Sequence, residues 1–377
     1  VGDGFDLRRS GFRAFGSQIR SVDRCGCYLN PKVRKPESPK ARKPESPKAR
    51  KPESPISMPF SAYSSAVLAP IGVADLVPPP RFAAKSFADY RIDATVAGQA
   101  AAVAEVRAFA LHNPGFFAWF RKAKAGLYLD GGFGTGKTHL LAASFHAAPG
   151  TKRYLSFAEA MSLLTVRGKD AAIDLLTAEL VCIDEFELDD PTNTRLADLL
   201  ITGLMERKSR IITTSNTVPG ELGQGRMAVD LFRTQLARLE AVFSDVHVPG
   251  SDYRQRQSEA GHPPTHWGAT VEPLPGPHHI IVSAAELDRW LSNIPVINLR
   301  RVAAALTHLS IVELQPFENQ LAALRFVHLV DKLYDYAVPL RIRSTAAIAD
   351  IFPPEHCQAS FAKKYRRCQS RLAELCA

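Results

Sequence analysis

Long apolar runs are missing from this sequence. No stretch of eighteen or more uncharged apolar residues occurs in its 377 residues, so no membrane-spanning helix is expected. Cysteine is scarce: Cys25, Cys27, Cys182, Cys357, Cys368 and Cys376 are the whole complement. That usage does not suit a disulfide-stapled secreted fold and points to a reducing, cytoplasmic setting. Cys25 and Cys27 have one residue between them, which fits neither a zinc knuckle nor a CxxC redox pair. His262, His266, His278 and His279 lie in a Pro- and Gly-rich stretch without metal-ligand spacing, and they read as surface residues. A basic excess exists, but only in one place. Of the formal net charge of +9, residues 1–57 carry +8, and the remaining 320 residues hold 33 basic and 32 acidic groups. The body therefore lacks the electrostatic footprint of a nucleic-acid-binding domain.

Residues 1–57 are expected to be disordered. They contain KPESPKAR at 35–42 and again at 43–50, followed by KPESP at 51–55. Proline at that density blocks helix and sheet, and the repeats have nothing apolar to bury. Ordinary sequence begins at Met58, and globular character is expected from about Leu76. The rest divides into residues 58–250, a nucleotide-binding core with an N-terminal extension, and residues 251–377, a mixed α+β C-terminal region.

Within the core, apolar strands alternate with helical patterns. Helices are predicted over Ala94–His112, from His139, and over Ala158–Val166, Leu196–Arg207 and Val229–Phe243. Strands are predicted at Gly126–Asp130, Lys152–Phe157, Leu180–Asp184, Arg210–Asn216 and Asp245–Val248. This alternation predicts a parallel sheet covered by helices on both faces.

The most informative segment is Gly131-Gly-Phe-Gly-Thr-Gly136-Lys137-Thr138, which fits GxxxxGK[ST] between a predicted strand and helix. Its glycines let backbone N–H groups turn into one concavity, and the following helix adds free N–H groups and its positive dipole end. Gly131, Gly132, Phe133, Gly134, Thr135, Gly136, Lys137, Thr138 and His139 are the expected ATP contacts. Lys137 is expected on the β- and γ-phosphates and the Thr138 hydroxyl on magnesium. Next comes Leu180-Val-Cys-Ile-Asp184-Glu185, an apolar strand ending in two acids. Asp184 suits the Mg²⁺ shell and Glu185 the activation of the attacking water. A helix-capping role for the acid pair is the plainer alternative. Asn216 closes the fourth predicted strand, where it suits positioning water against the γ-phosphate or simply forming a turn before Pro219-Gly220. The three elements describe a P-loop ATPase of the ASCE type. No NKxD base-reading motif occurs, which argues against a GTPase.

In this order, together with Asp252-Tyr253-Arg254, the residues resemble the AAA+ family of the cell-division ATPase ZapE and its mitochondrial AFG-like relatives. Leu76-Val-Pro-Pro-Pro-Arg81-Phe82 looks like actinobacterial members. Arg325-Phe-Val-His-Leu-Val-Asp331-Lys-Leu-Tyr334-Asp335 is similar to the family's RFxxLVDxLYD segment, and Ser370-Arg371-Leu-Ala-Glu374 to its terminal SRLxE. The resemblance spans about residues 75–376. Two departures accompany it: Asp189-Asp190-Pro191 interrupts the family's continuation after DEF, and the loop before Val229 lacks its usual Gln-Arg pair. Two arginines thus remain open as the finger, Arg226 first and Arg238 as the alternative.

What the resemblance implies is an ATP hydrolase that remodels protein partners, among them division-ring components such as FtsZ, and that assembles into a homo-oligomeric ring. Two other readings stay open at this point. A helicase-loader type of ATPase shares the P-loop, acid and Asn elements, and a nucleotide switch would use binding without hydrolysis.

Overall fold

A computed structural model describes residues 67–111, 124–188, 191–217, 229–250, 264–274, 276, 279–355 and 361–377. All of them fall in one compact unit, Glu53–Ala377. The tail, Arg226, Asp189, Asp190, His262, His278, Cys357 and Asp252–Arg254 lie outside the described residues.

The first region runs α1 (Gln99–Ala110), β1 (Gly126–Asp130), α2 (Lys137–Ala147), β2 (Lys152–Ser156), α3 (Phe157–Arg167), α4 (Lys169–Leu176), β3 (Leu180–Asp184), α5 (Pro191–Glu206), β4 (Arg210–Thr214), α6 (Val229–Val242) and β5 (Phe243–His247). The strands form one parallel sheet ordered β2-β3-β4-β1-β5. Because side chains alternate along a strand, successive apolar residues feed opposite faces. Tyr128, Leu155, Val181, Ile183 and Ile211 pack with α3, α4 and α5 on one face. Leu127, Leu129, Tyr154, Leu180, Cys182 and Ile212 pack with α1 and α2 on the other. A strand buried on both sides has no room for polar alternation, which is why β3 reads as a continuous apolar run.

The predicted strands are found, Gly126–Asp130 and Leu180–Asp184 with the expected ends and the others with shifted ones. The Ala94–His112 helix starts later, at Gln99, because Gly98 takes a left-handed φ of 83° and ends any helical path on its N-terminal side. The fourth strand stops at Thr214, so Asn216 lies two residues beyond it. The fifth strand starts earlier, at Phe243. Helix α4 was not predicted; its eight residues follow Gly168 and are too short to show a clear period. Packed structure also starts before Leu76, since Val67 is 2% exposed and joins the C-terminal core.

The second region contains β6 (His279–Ser283), α7 (Ala284–Leu291), α8 (Leu299–Ala305), β7 (His308–Leu314), α9 (Gln320–Asp335), β8 (Leu340–Ser344) and α10 (Ala362–Leu375). Its three strands are parallel, in the order β6-β7-β8. Phe326, Val330, Leu333, Tyr365, Cys368 and Leu372 fill its core, which brings α9 and α10 together.

Ion pairs join the regions. Ser156 and Glu159 form a capping box that starts α3: Ser156 N–H donates to Glu159 Oε2 at 2.7 Å, and Glu159 N–H donates to Ser156 Oγ at 3.3 Å. Glu159 is fully buried, and Arg300 of α8 donates to both its oxygens at 2.9 Å. Lys332 of α9 adds a third contact at 3.1 Å. Burial alone would raise Glu159, but the charges of Arg300 and Lys332 reverse this and hold it well below the usual carboxylate range. The strap 67–82 is tied down in the same way, with Arg301 on Asp75 at 2.6 Å and Asn298 donating to the Val67 carbonyl.

Candidate functional site

The phosphate loop leaves β1 at the carboxyl edge of the sheet and ends where α2 begins. Gly131 has φ of 150°, and a Cβ there would meet the Val248 carbonyl oxygen at 2.5 Å. Gly136 has φ of 91°, and a Cβ there would meet the Tyr90 ring at 2.6 Å. Both positions need glycine for conformation and for space. Tyr90 braces the loop from outside, its hydroxyl donating to the Thr135 carbonyl at 2.7 Å. The Lys137 ammonium lies across the loop, donating to the carbonyls of Gly131 at 2.9 Å and Gly132 at 2.6 Å. The His139 ring is bonded to the Ser86 carbonyl at 2.8 Å and set edge-on to Tyr90. Phe133 is 38% exposed at the loop's rim.

Asp184 ends β3 at the same edge. Register pairs it with Ser156 of β2, and Thr213 of β4 stands beside Ile183. Thr138 donates to Asp184 Oδ1 at 3.2 Å, Tyr154 donates to Oδ2 at 3.1 Å, and Thr214 donates to Oδ1 as well. Burial pushes the Asp184 pKa up, and the neighbouring Glu185 charge adds to this. Thr214 also fixes the next residue, its Oγ1 accepting from Glu185 N–H at 3.0 Å. Glu185 itself has φ of 56°, an uncommon left-handed conformation for a residue with a side chain. Asn216 lies half-buried near this edge, beyond Thr214.

The C-terminal helix supplies two arginines whose place at the site motif reading did not give. Glu185 Oε2 lies 3.0 Å from Arg367 and Oε1 3.4 Å from Arg371, both on α10. Asp331 of α9 sits behind them, 2.8 Å from Arg367 and in contact with Arg371. Burial would raise Asp331, but the two guanidinium groups reverse that and hold it well below the usual range. A small cavity runs between Thr138, Asp184 and Glu185 on one side and His328, Asp335 and Arg371 on the other. The sequence did carry a signal for part of this. Asp331 and Arg371 fall inside the two C-terminal segments already singled out, although nothing in those segments says what they touch. Tyr154 and Thr214 had no signal beyond lying on strands next to the acid.

Arg238 is on the surface, its side chain 56% exposed and paired with Asp198 at 3.0 Å. Among the described residues no three His, Cys, Asp or Glu side chains gather as a metal cluster, and no helix is long and apolar enough to cross a membrane.

A phosphate loop after one strand, an acid-tipped strand two places away and between them a strand ending in Thr213 and Thr214 define a P-loop ATPase of the AAA+ type. The chain belongs to the AFG1-like ATPase family, whose profile matches residues 72–270 and 295–377, and it is an ATP hydrolase. It is 24% identical over 305 residues to the cell division protein ZapE of Escherichia coli K12, covering 66% of this chain and 77% of that protein. Its counterpart in E. coli O157:H7 matches to the same extent. Among solved structures, AMPPCP-bound DnaA from Aquifex aeolicus superposes with a TM-score of 0.33 at 18% identity, spanning 47% of this chain and 55% of that one. The DnaC helicase loader superposes with a TM-score of 0.32 at 18% identity, spanning 45% of this chain and 99% of that one.

Proposed function

We propose that this chain hydrolyses Mg-ATP to remodel protein partners, in a role akin to the cell-division function named for its E. coli relative. The observation that carries the catalytic part is the bonded group Thr138–Asp184–Thr214 at the mouth of the phosphate loop. A hydroxyl and a half-buried carboxylate side by side are hard oxygen donors of the kind magnesium takes alongside water and phosphate. When bound, the ion neutralises charge on the transferring phosphoryl group. Thr138 and Asp184 would hold it, and it would supply the counter-charge that Asp184's raised pKa calls for.

The chain's own groups do the rest. Lys137 exchanges its two loop carbonyls for β- and γ-phosphate oxygens. Gly131 to Thr138 turn backbone N–H groups toward the same charge. Glu185 accepts the proton of the attacking water, with Asn216 beside it to orient that water. An arginine from a neighbouring copy, Arg226 or Arg238, completes the site in a ring. Partners of the division-ring kind, FtsZ among them, are the ones the family resemblance suggests.

Steady-state ATPase assays test the core of this reading. Lys137→Ala should lose turnover while keeping the fold by circular dichroism. Glu185→Gln should bind Mg-ATP as the parent does, yet turn it over about a hundredfold to ten-thousandfold more slowly, since an amide cannot take a proton. Parent-like turnover by Glu185→Gln would remove Glu185 as the base, and loss of nucleotide binding would move it into the metal shell. Immobilised Glu185→Gln loaded with Mg-ATP should retain purified FtsZ; parent-level retention without nucleotide would count against ATP-gated remodelling.

A further inference from the structure

Three segments that stand out in the sequence lie outside the phosphate loop and the acid-tipped strand: 76–82, 325–335 and 370–374. In the fold they make one line of contacts. Arg81 stacks on the Tyr334 ring, 3.8 Å from its centroid, and pairs with Glu374 at 3.5 Å. Arg371 lies 4.9 Å from the same centroid, on a ring whose hydroxyl donates to Glu374 at 3.3 Å. From Arg371 and its neighbour Arg367 the line runs to Asp331 and ends on Glu185.

We propose that Arg367 and Arg371 are positioning residues that latch Glu185, holding its carboxylate off the attacking water until the contact opens. The idea rests on Glu185 being the base, as argued above. Both of its oxygens are taken, one by each guanidinium, at 3.0 and 3.4 Å. A general base needs an oxygen within about 3 Å of the water it deprotonates. A carboxylate drawn toward two arginines of α10 has to swing away from them to bring an oxygen onto that water.

The latch is stiff on one side and loose on the other. Arg367 and Arg371 are 8% and 6% exposed, and both are gripped by Asp331, itself 6% exposed. Buried guanidinium groups held by a buried carboxylate do not swing independently. Glu185 keeps 28% of its side chain exposed, and its backbone is pinned to Thr214. The moving part is therefore the Glu185 side chain. Its departure leaves each arginine a partner: Arg367 keeps Asp331 at 2.8 Å and Glu187 at 4.0 Å, and Arg371 keeps Asp331 and the face of Tyr334. An ion pair that can open without leaving a lone buried cation is a workable switch.

Arg367→Gln tests this in the full chain, because the amide can still bond Asp331 but cannot hold Glu185 as an ion partner. Basal kcat should rise about tenfold to a hundredfold, the scale of one charge-assisted contact, with KM for ATP unchanged. The rise must pass through Glu185. Arg367→Gln combined with Glu185→Gln should be no faster than Glu185→Gln alone. An unchanged or lower kcat at parental thermal stability overturns the latch. So does a double variant that still gains. If Glu185→Gln alone keeps the parental rate, the assignment of the base fails first; if it is inactive and Arg367→Gln is no faster, only the latch fails. Should Arg367→Gln not fold, the parent protein with Mg-ADP-beryllofluoride decides by crystallography. The proposal requires Glu185 to have left Arg367, and a retained 3.0 Å pair beside an ordered attacking water refutes it.

Discussion

The two regions of this chain have cores of the same kind and place their buried charges quite differently. Both sheets are parallel, and both are packed with Val, Ile, Leu and Phe. In the first region buried Lys137 and half-buried Asp184 stand at the carboxyl edge of the strands, where phosphate would arrive. In the second region Arg300, Asp331, Lys332, Arg367 and Arg371 are buried, and four of the five pair with Glu159 or Glu185 of the first region. The second region acts as an electrostatic cap on the first. Apolar packing gives each region its shape, and charge determines how the cap grips the site.

The largest effect should come from breaking that grip at its most buried point. Glu159→Gln leaves Arg300 without its paired carboxylate and Lys332 with Asp335 alone at 3.4 Å, and should cost about 3–5 kcal/mol, read by urea or thermal unfolding. Ile183→Val in the apolar sheet should cost only about 1 kcal/mol. Equal costs would mean that the ionic seam is no more demanding than the core, and the contrast would fail.

Acid should sharpen the comparison in the second region. Burial lowers His308 to about 4, helped by the His279 and Arg341 charges; burial and the Lys364 charge lower His328 to about 4. The unfolded chain then takes up these protons first. Stability from both groups is full above about pH 6.5, falls between 6.5 and 4, and flattens below. Asp335 works in the opposite sense. Burial raises it to about 6, so the folded chain gains its proton first and stability recovers in part as pH falls from 6 toward 4. Two imidazoles against one carboxyl leave a net loss. Melting temperatures across pH 4–7 should show it, and His308→Gln should shallow the slope. A parental slope in His308→Gln would remove that histidine from the account.

The smallest effect on stability is expected at Arg238, an exposed residue whose single pair with Asp198 is worth about 0.5 kcal/mol. Arg238→Ala should therefore keep the parental melting temperature, so that any loss of ATPase reports the site and not the fold. If Arg238 acts on a neighbouring copy, mixing Arg238→Ala with Lys137→Ala should restore part of the activity, and specific activity should rise with protein concentration. No rescue with Arg238→Ala but rescue with Arg226→Ala would assign the finger to Arg226. Neither outcome, together with concentration-independent activity, would remove the ring.

Local residue types settled much of this protein. The order strand, Gly131–Thr138, helix needs glycines for positive φ and a helix N-terminus for the anion, so the phosphate loop was legible where it stood. A strand buried on both faces must be apolar throughout, and it ends where polarity returns, so LVCIDE announced both β3 and its acids. Strand ends and short helices such as α4 were less legible, because one turn of apolar spacing fits several structures and neighbours decide between them. The partners of the acids were not legible. Tyr154 and Thr214 reach Asp184 because β2 and β4 flank β3, an order set by crossovers far apart in the chain. Arg367 and Arg371 stand more than 180 residues from Glu185, and only the docking of α9 and α10 brings them onto it. A charge in a sequence carries no direction. It became part of this site only when burial took it out of water and left one neighbour able to answer it.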